Sequence, residues 1–120
     1  MRNQGAGNEA DKVYLAHMLE CTGRIDEYVG GNEARFRASR LIQDAVVRNL
    51  QTLAESSQRL TDAIKASEPD VPWRAISGFR NILVHDYLAI DVEAVWLVVD
   101  QELPRLRAAL QRMHKRSSVI

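Results

Sequence analysis

Residues 39–66 read SRLIQDAVVRNLQTLAESSQRLTDAIKA, and this stretch decides the fold. Ile42, Val46, Asn49, Leu50, Leu53, Ser57, Leu60 and Ile64 recur at the helical period. The spacing predicts one long helix over 39–66 whose single apolar face turns inward along its whole length. Arg40, Asp44, Arg48, Glu55 and Arg59 fall on the other face, where four-residue spacings bring unlike charges together. A helix that is apolar on one side only must be covered by other elements, and its neighbours in sequence are also helical.

Toward the N-terminus, Val13, Leu15, Met18, Leu19, Ile25 and Tyr28 repeat at helical spacing from Asp11 to Val29, and Gly30-Gly31 breaks the pattern. Asn32 is a suitable N-cap for a short turn of helix through Phe36. Toward the C-terminus, Pro69 and Pro72 stop the long helix, and a third helix is expected from about Trp73 to Val84. Asp91 is placed to cap a fourth that runs to about His114, with Glu93 in its first turn. Pro104 should kink or interrupt that helix, because its ring removes a backbone donor and clashes with the preceding turn. With no strand candidate and short links, the expected architecture is all-α, an up-down bundle of four to five helices. Residues 10–115 would form its single domain, with flexible tails at 1–9 and 116–120.

A chain of 120 residues suits one domain, and 46% apolar with 27% charged residues is an ordinary globular composition. Sixteen Lys plus Arg balance sixteen Asp plus Glu, so no whole-molecule field steers nucleic acid toward the chain and any RNA contact must be local. Arg105, Arg107, Arg112, Lys115 and Arg116 do follow Leu103 without an intervening acid. The simpler reading of that run is a solvated basic helix end that complements the helix dipole. The lone Cys21 excludes an internal disulfide, reads as a packing residue, and suits a reducing cytosol. No apolar stretch is long enough to span a bilayer and the first residues lack an apolar signal core, so a cytoplasmic protein without membrane contact is expected. His17 and His114 have no partners at metal-ligand spacing, and no metal or other cofactor is expected. Trp73 and Trp96 lie in apolar helical stripes and read as core or interface aromatics.

Chemistry concentrates in Gly78-Phe79-Arg80-Asn81-Ile82-Leu83-Val84-His85-Asp86-Tyr87. On a helix Asn81 and His85 would stack four apart, and Arg80 and Tyr87 would stand seven apart on a neighbouring face. Arg80 and His85, five apart, would converge only where the helix loosens. Imidazole is the side chain that exchanges protons near neutral pH, and a guanidinium grips phosphate through two donors. The competing reading makes His85 a helix cap, Arg80 an ion-pair partner of Asp44 or Asp86, and Tyr87 an amphipathic rim residue. Asp44 and Arg48 are either a structural pair on the long helix or residues of a cleft.

The string RNILVHDY, residues 80–87, resembles the R-x4-H-x-Y signature of HEPN domains of the HepT type. The likeness extends to LIQDAVVRNL at 41–50, PWRAI at 72–76, Asp91 with Trp96, and Leu103-Pro104, so that it covers residues 12–112. It implies a HEPN-like helical bundle and a metal-independent endoribonuclease, the toxin of a toxin–antitoxin module whose antitoxin is a small MNT-type nucleotidyltransferase. It also implies roles: Arg80 and His85 catalytic, Asn81 supporting, and Tyr87 the acceptor of AMP from the antitoxin. In the family two copies pair so that both motifs line one cleft, which implies a homodimer with a composite site and an RNA substrate. A reading of another class keeps the chain as a non-catalytic helical partner of the nucleotidyltransferase, and the neutral charge favours it mildly, since RNA affinity is largely phosphate-driven.

Overall fold

The computed structural model describes residues 8–79 and 90–118, and every regular element among them is helical. In order these are α1 (Glu9–Val29), α2 (Glu33–Ala38), α3 (Arg40–Gln58), α4 (Asp62–Ala66), α5 (Trp73–Ser77), α6 (Val92–Leu97), a π-helical stretch (Val98–Glu102) and α7 (Leu103–Ser118).

The all-α expectation holds, and α1 is the centre of the packing, lying against α3 and α7. Leu15, Met18 and Ile25 from α1, Val46, Leu50 and Leu53 from α3, and Leu110 and Met113 from α7 are fully or almost fully buried. Their spacings of three, four and seven residues put each set on one helical face, and burying a Leu or Ile side chain contributes about 1.5–3 kcal/mol. From the expected inward stripe of 39–66, Val46, Asn49, Leu50, Leu53, Ser57, Leu60 and Ile64 are buried and Ile42 partly so. Phe36 carries α2 into the core and its ring meets Trp96 of α6 at a centroid distance of 5.4 Å and a 37° tilt. Val13, placed by spacing in the core stripe of α1, is instead 64% exposed.

The helix expected over 39–66 is two helices. It stops at Gln58, and Thr61 caps a new one by accepting from Ile64 N–H. The cause lies outside the stretch. Asp11, fully buried on α1, accepts from Thr61 N–H at 2.9 Å and from the Thr61 hydroxyl at 2.6 Å, holding the chain in extended backbone there. The same carboxylate accepts from Asn8 N–H, and Asn8 Oδ1 accepts from Asp11 N–H, closing a capping box on α1. For that reason α1 begins at Glu9, two residues before the expected start.

The helix expected after Asp91 also divides. Asp91 does cap it, accepting from Ala94 N–H at 3.1 Å. Seven residues after Asp91 the backbone widens into the π stretch, where Leu103 N–H donates to the carbonyl of Val98. Pro104 has no N–H and its ring crowds the carbonyl four residues back, so the turn before it opens to the five-residue pattern. Pro104 then sits in the first turn of α7, where a missing donor costs nothing. That helix continues to Ser118, beyond the expected end near His114. Of the third expected helix, α5 and the helical Phe79 fall among the described residues and the rest lies outside them.

Candidate functional site

The sequence places its chemistry at 80–87, and Arg80, Asn81, His85 and Tyr87 all lie outside the described residues. The structure therefore speaks for the frame that leads into and out of that stretch. On the entry side, Trp73 anchors the start of α5: its indole N–H donates to the carbonyls of Lys65 and Glu68 at 3.1 and 3.2 Å. Ile76 of α5 and Phe79, which follows the Gly78 turn that ends α5, are 3% and 4% exposed, so the residue joined directly to Arg80 is fixed in the core. On the exit side, Ile90 packs against the core and Asp91 caps α6. Glu93 of α6 accepts from Arg37 at 2.7 Å, and Arg37 also donates to Glu33. Glu93 first and Glu33 second hold the Arg37 guanidinium above its ordinary pKa. This ties α2 to the start of α6.

Asp44 and Arg48 are both exposed, and no ion pair joins them among the described residues. The charge pairing expected along that face of α3 is thus not formed. Asn49, one turn on, is buried and donates to the Ala45 carbonyl at 2.9 Å, a helix-internal bond that assigns it to packing.

The basic run on α7 is not simply solvated. Arg107 is ion-paired with Asp26 of α1. Arg112 and Arg116 both clasp Glu68, which is 8% exposed in the link before α5, at 2.8 and 3.0 Å, and Arg116 also donates to Ser67 Oγ. The hydrogen bonds from Arg112 chiefly, and from Arg116, hold the Glu68 carboxyl below the usual carboxylate range against the opposing effect of burial. Three of the five cations are thus spent on holding α7 to the bundle, and Arg105 and Lys115 stay exposed. Sequence reading missed Glu68 because its partners stand 44 and 48 residues away.

Cys21 is fully buried, and burial pushes its thiol pKa up, which makes it a packing residue rather than a nucleophile. Among the described residues no cluster of His, Cys, Asp or Glu could hold a metal ion, and no helix is long and apolar enough to cross a membrane.

The family described as ribonuclease HepT-like matches residues 18–113. The chain belongs to the HepT-like ribonuclease family. The matched span covers all of 80–87, so the motif read from sequence lies inside the region that defines this HepT-like chain. A "putative RNase" of Methanocaldococcus jannaschii is 30% identical over 103 residues, covering 83% of this chain and 93% of that protein. A probable ribonuclease HepT of Thermococcus cleftensis is 29% identical over 107 residues, covering 87% and 96%. A "gamma-glutamylcyclotransferase and putative RNase" of Methanocaldococcus jannaschii is 30% identical over 103 residues, and there the match spans 85% of this chain but 46% of the relative. No solved structure matches the chain.

Proposed function

We propose that this chain is a metal-independent endoribonuclease toxin of a toxin–antitoxin module acting in the cytoplasm. The observation that carries the reading is the family match across residues 18–113, which encloses Arg80, His85 and Tyr87 in their R-x4-H-x-Y spacing. In this mechanism an imidazole accepts the proton of the RNA 2′-hydroxyl, the oxygen attacks the adjacent phosphorus, and the 5′-oxygen leaves with a proton from a second donor. His85 supplies the first transfer, and His85 of the partner subunit the second, in a homodimer whose two motifs share one cleft. Arg80 stabilises charge on the phosphoryl oxygens through its two-pronged donors, and Asn81 supports the motif as its polar member.

Tyr87 is the regulatory residue of this reading. Its phenolic oxygen attacks the α-phosphorus of ATP on an MNT-type nucleotidyltransferase antitoxin, pyrophosphate leaves, and the phenol proton passes to a base. The attached AMP sets a phosphate and a purine beside Arg80, filling the RNA site without refolding the chain.

Purified protein should cleave RNA in EDTA, and His85→Ala should lower the rate by about 100-fold or more while the helical circular dichroism is kept. Equal cleavage by both proteins refutes the assignment. The neutral net charge, together with the ion-paired cations of α7, favours the second reading, a non-catalytic partner of the nucleotidyltransferase. That reading predicts complex formation, no cleavage under any condition, and Arg80 and His85 replaceable at no cost. Intact mass of the chain made with and without the nucleotidyltransferase tests the regulation: increments of one AMP unit mapping to Tyr87 are expected, and an unmodified tyrosine overturns it.

A further inference from the structure

A cavity of about 320 Å³ opens between the 70–79 segment and α7. Its floor is apolar, formed by the nearly buried Ile76, Phe79 and Leu106. Its rim carries Asp70, Glu102 and Arg105, all exposed; none of the three forms a salt bridge among the described residues, and Asp70 acts on Arg112 through its charge alone. Arg112 also borders it, with its guanidinium engaged by Glu68. The volume lies at the small end of the range of ligand sites, about 300–1,000 Å³.

We propose that this cleft receives one unpaired nucleobase of the RNA substrate, guanine in preference to the others. The inference rests on the ribonuclease reading and deepens it by naming the base beside the cut. A floor of aliphatic and aromatic carbon accepts a flat ring, and single-stranded RNA is recognised by just such capture of splayed-out bases. A membrane or an apolar helix fits the rim poorly, because seating either would desolvate the charged groups Asp70, Glu102 and Arg105 without supplying them hydrogen-bond partners. Guanine matches both kinds of rim charge. Its N1–H and amino group donate to a carboxylate such as Asp70 or Glu102, and its O6 and N7 accept from a guanidinium, the commonest pairing of arginine with a base. Uracil and cytosine offer only part of this set. The place is also apt, since Phe79 is bonded directly to Arg80, the residue proposed to grip the scissile phosphate.

The test uses the full chain carrying His85→Ala, so that bound RNA stays intact, and measures fluorescence anisotropy with three labelled hexaribonucleotides. One is all uridine, one has a single guanosine, and one has an abasic residue in the guanosine position. The guanosine oligomer should bind about tenfold tighter than the abasic one, the scale of a single stacked and hydrogen-bonded base. Adding Arg105→Ala, an exposed change, should shrink that ratio below about threefold with the helical signal unchanged. Equal binding of the guanosine and abasic oligomers, or a ratio that survives Arg105→Ala, overturns the proposal. The two readings fail separately: cleavage in EDTA without base discrimination sinks the cleft alone, and discrimination without cleavage by the parent chain sinks the ribonuclease assignment alone.

Discussion

Two buried carboxylates fix this bundle, and each is a residue whose role depends on partners far along the chain. Asp11 has no exposure and accepts three hydrogen bonds, from Asn8 N–H, Thr61 N–H and the Thr61 hydroxyl. Asp11→Asn turns an amide NH2 toward groups that are themselves donors, so it should cost about 1–3 kcal/mol, read as a lower midpoint in urea unfolding. Glu68 behaves differently because it titrates. Its folded pKa lies below the unfolded value of about 4.3, so the stability it contributes is fully present above that pH and is lost as the pH falls through the folded pKa. Glu68→Gln should therefore lower the thermal midpoint at pH 7, by an amount corresponding to about 1–2 kcal/mol given that both arginines are partly exposed. It should change it far less at pH 3. A mutant whose deficit is as large at pH 3 as at pH 7 would show that the charge of Glu68 is irrelevant.

Elements show where sequence reading succeeds and where physics forbids it. The inward stripe from Val46 to Ile64 was legible because helical period and burial coincide residue by residue. The break at Arg59–Thr61 was not, because Leu60 and Ile64 keep the stripe intact across the turn and the cause, Asp11, sits 50 residues earlier. Pro104 did announce a disturbance, but a widened turn ahead of the proline and a bend at it look the same in sequence. The candidate site at 80–87 is read from residue types and spacing alone and lies outside the described residues, while the cleft lined by Phe79 was not legible, since Asp70 and Arg105 come from separate elements. Thr61→Val removes the cap of α4 and the hydroxyl bond to Asp11 while the backbone N–H bond to Asp11 stays, and should cost about 1–2 kcal/mol. Combined with Asp11→Asn the loss should be clearly less than additive, because both changes cut one clasp; additive losses in the double-mutant cycle would mean the two act independently. At the other end of α1, Gly30 ends the helix at φ 61°, and its nearest Cβ neighbour would be the flexible Arg35 side chain. Gly30→Ala should thus cost about 1 kcal/mol from backbone strain alone, measurable as a shift of the urea midpoint at constant m-value.

For the whole molecule, the proposed function requires a chain with no net charge to hold a polyanion. The basic end of α7 is not a free phosphate track, because Asp26 and Glu68 take up Arg107, Arg112 and Arg116. On α7 this leaves Lys115 exposed, with Arg105 on the rim of the cleft, and the proposed phosphate contact adds Arg80. Each neutralised phosphate on a single strand contributes about 0.7 to the slope of log affinity against log salt. One or two phosphates per copy, doubled in the proposed homodimer, would give a slope between about −1 and −3, shallow beside the slope near −10 of a strongly basic binder. Binding of a labelled hexaribonucleotide to His85→Ala between 50 and 300 mM salt checks this. A slope steeper than about −5 would require phosphate contacts beyond these, from other exposed arginines such as Arg48 and Arg74 or from arginines of α7 that give up Glu68 and Asp26 on binding. A shallow slope would mean that RNA choice, under the proposed function, rests on base contacts and on the geometry of the proposed paired motifs, with the neutral charge adding selectivity because random RNA is held only weakly.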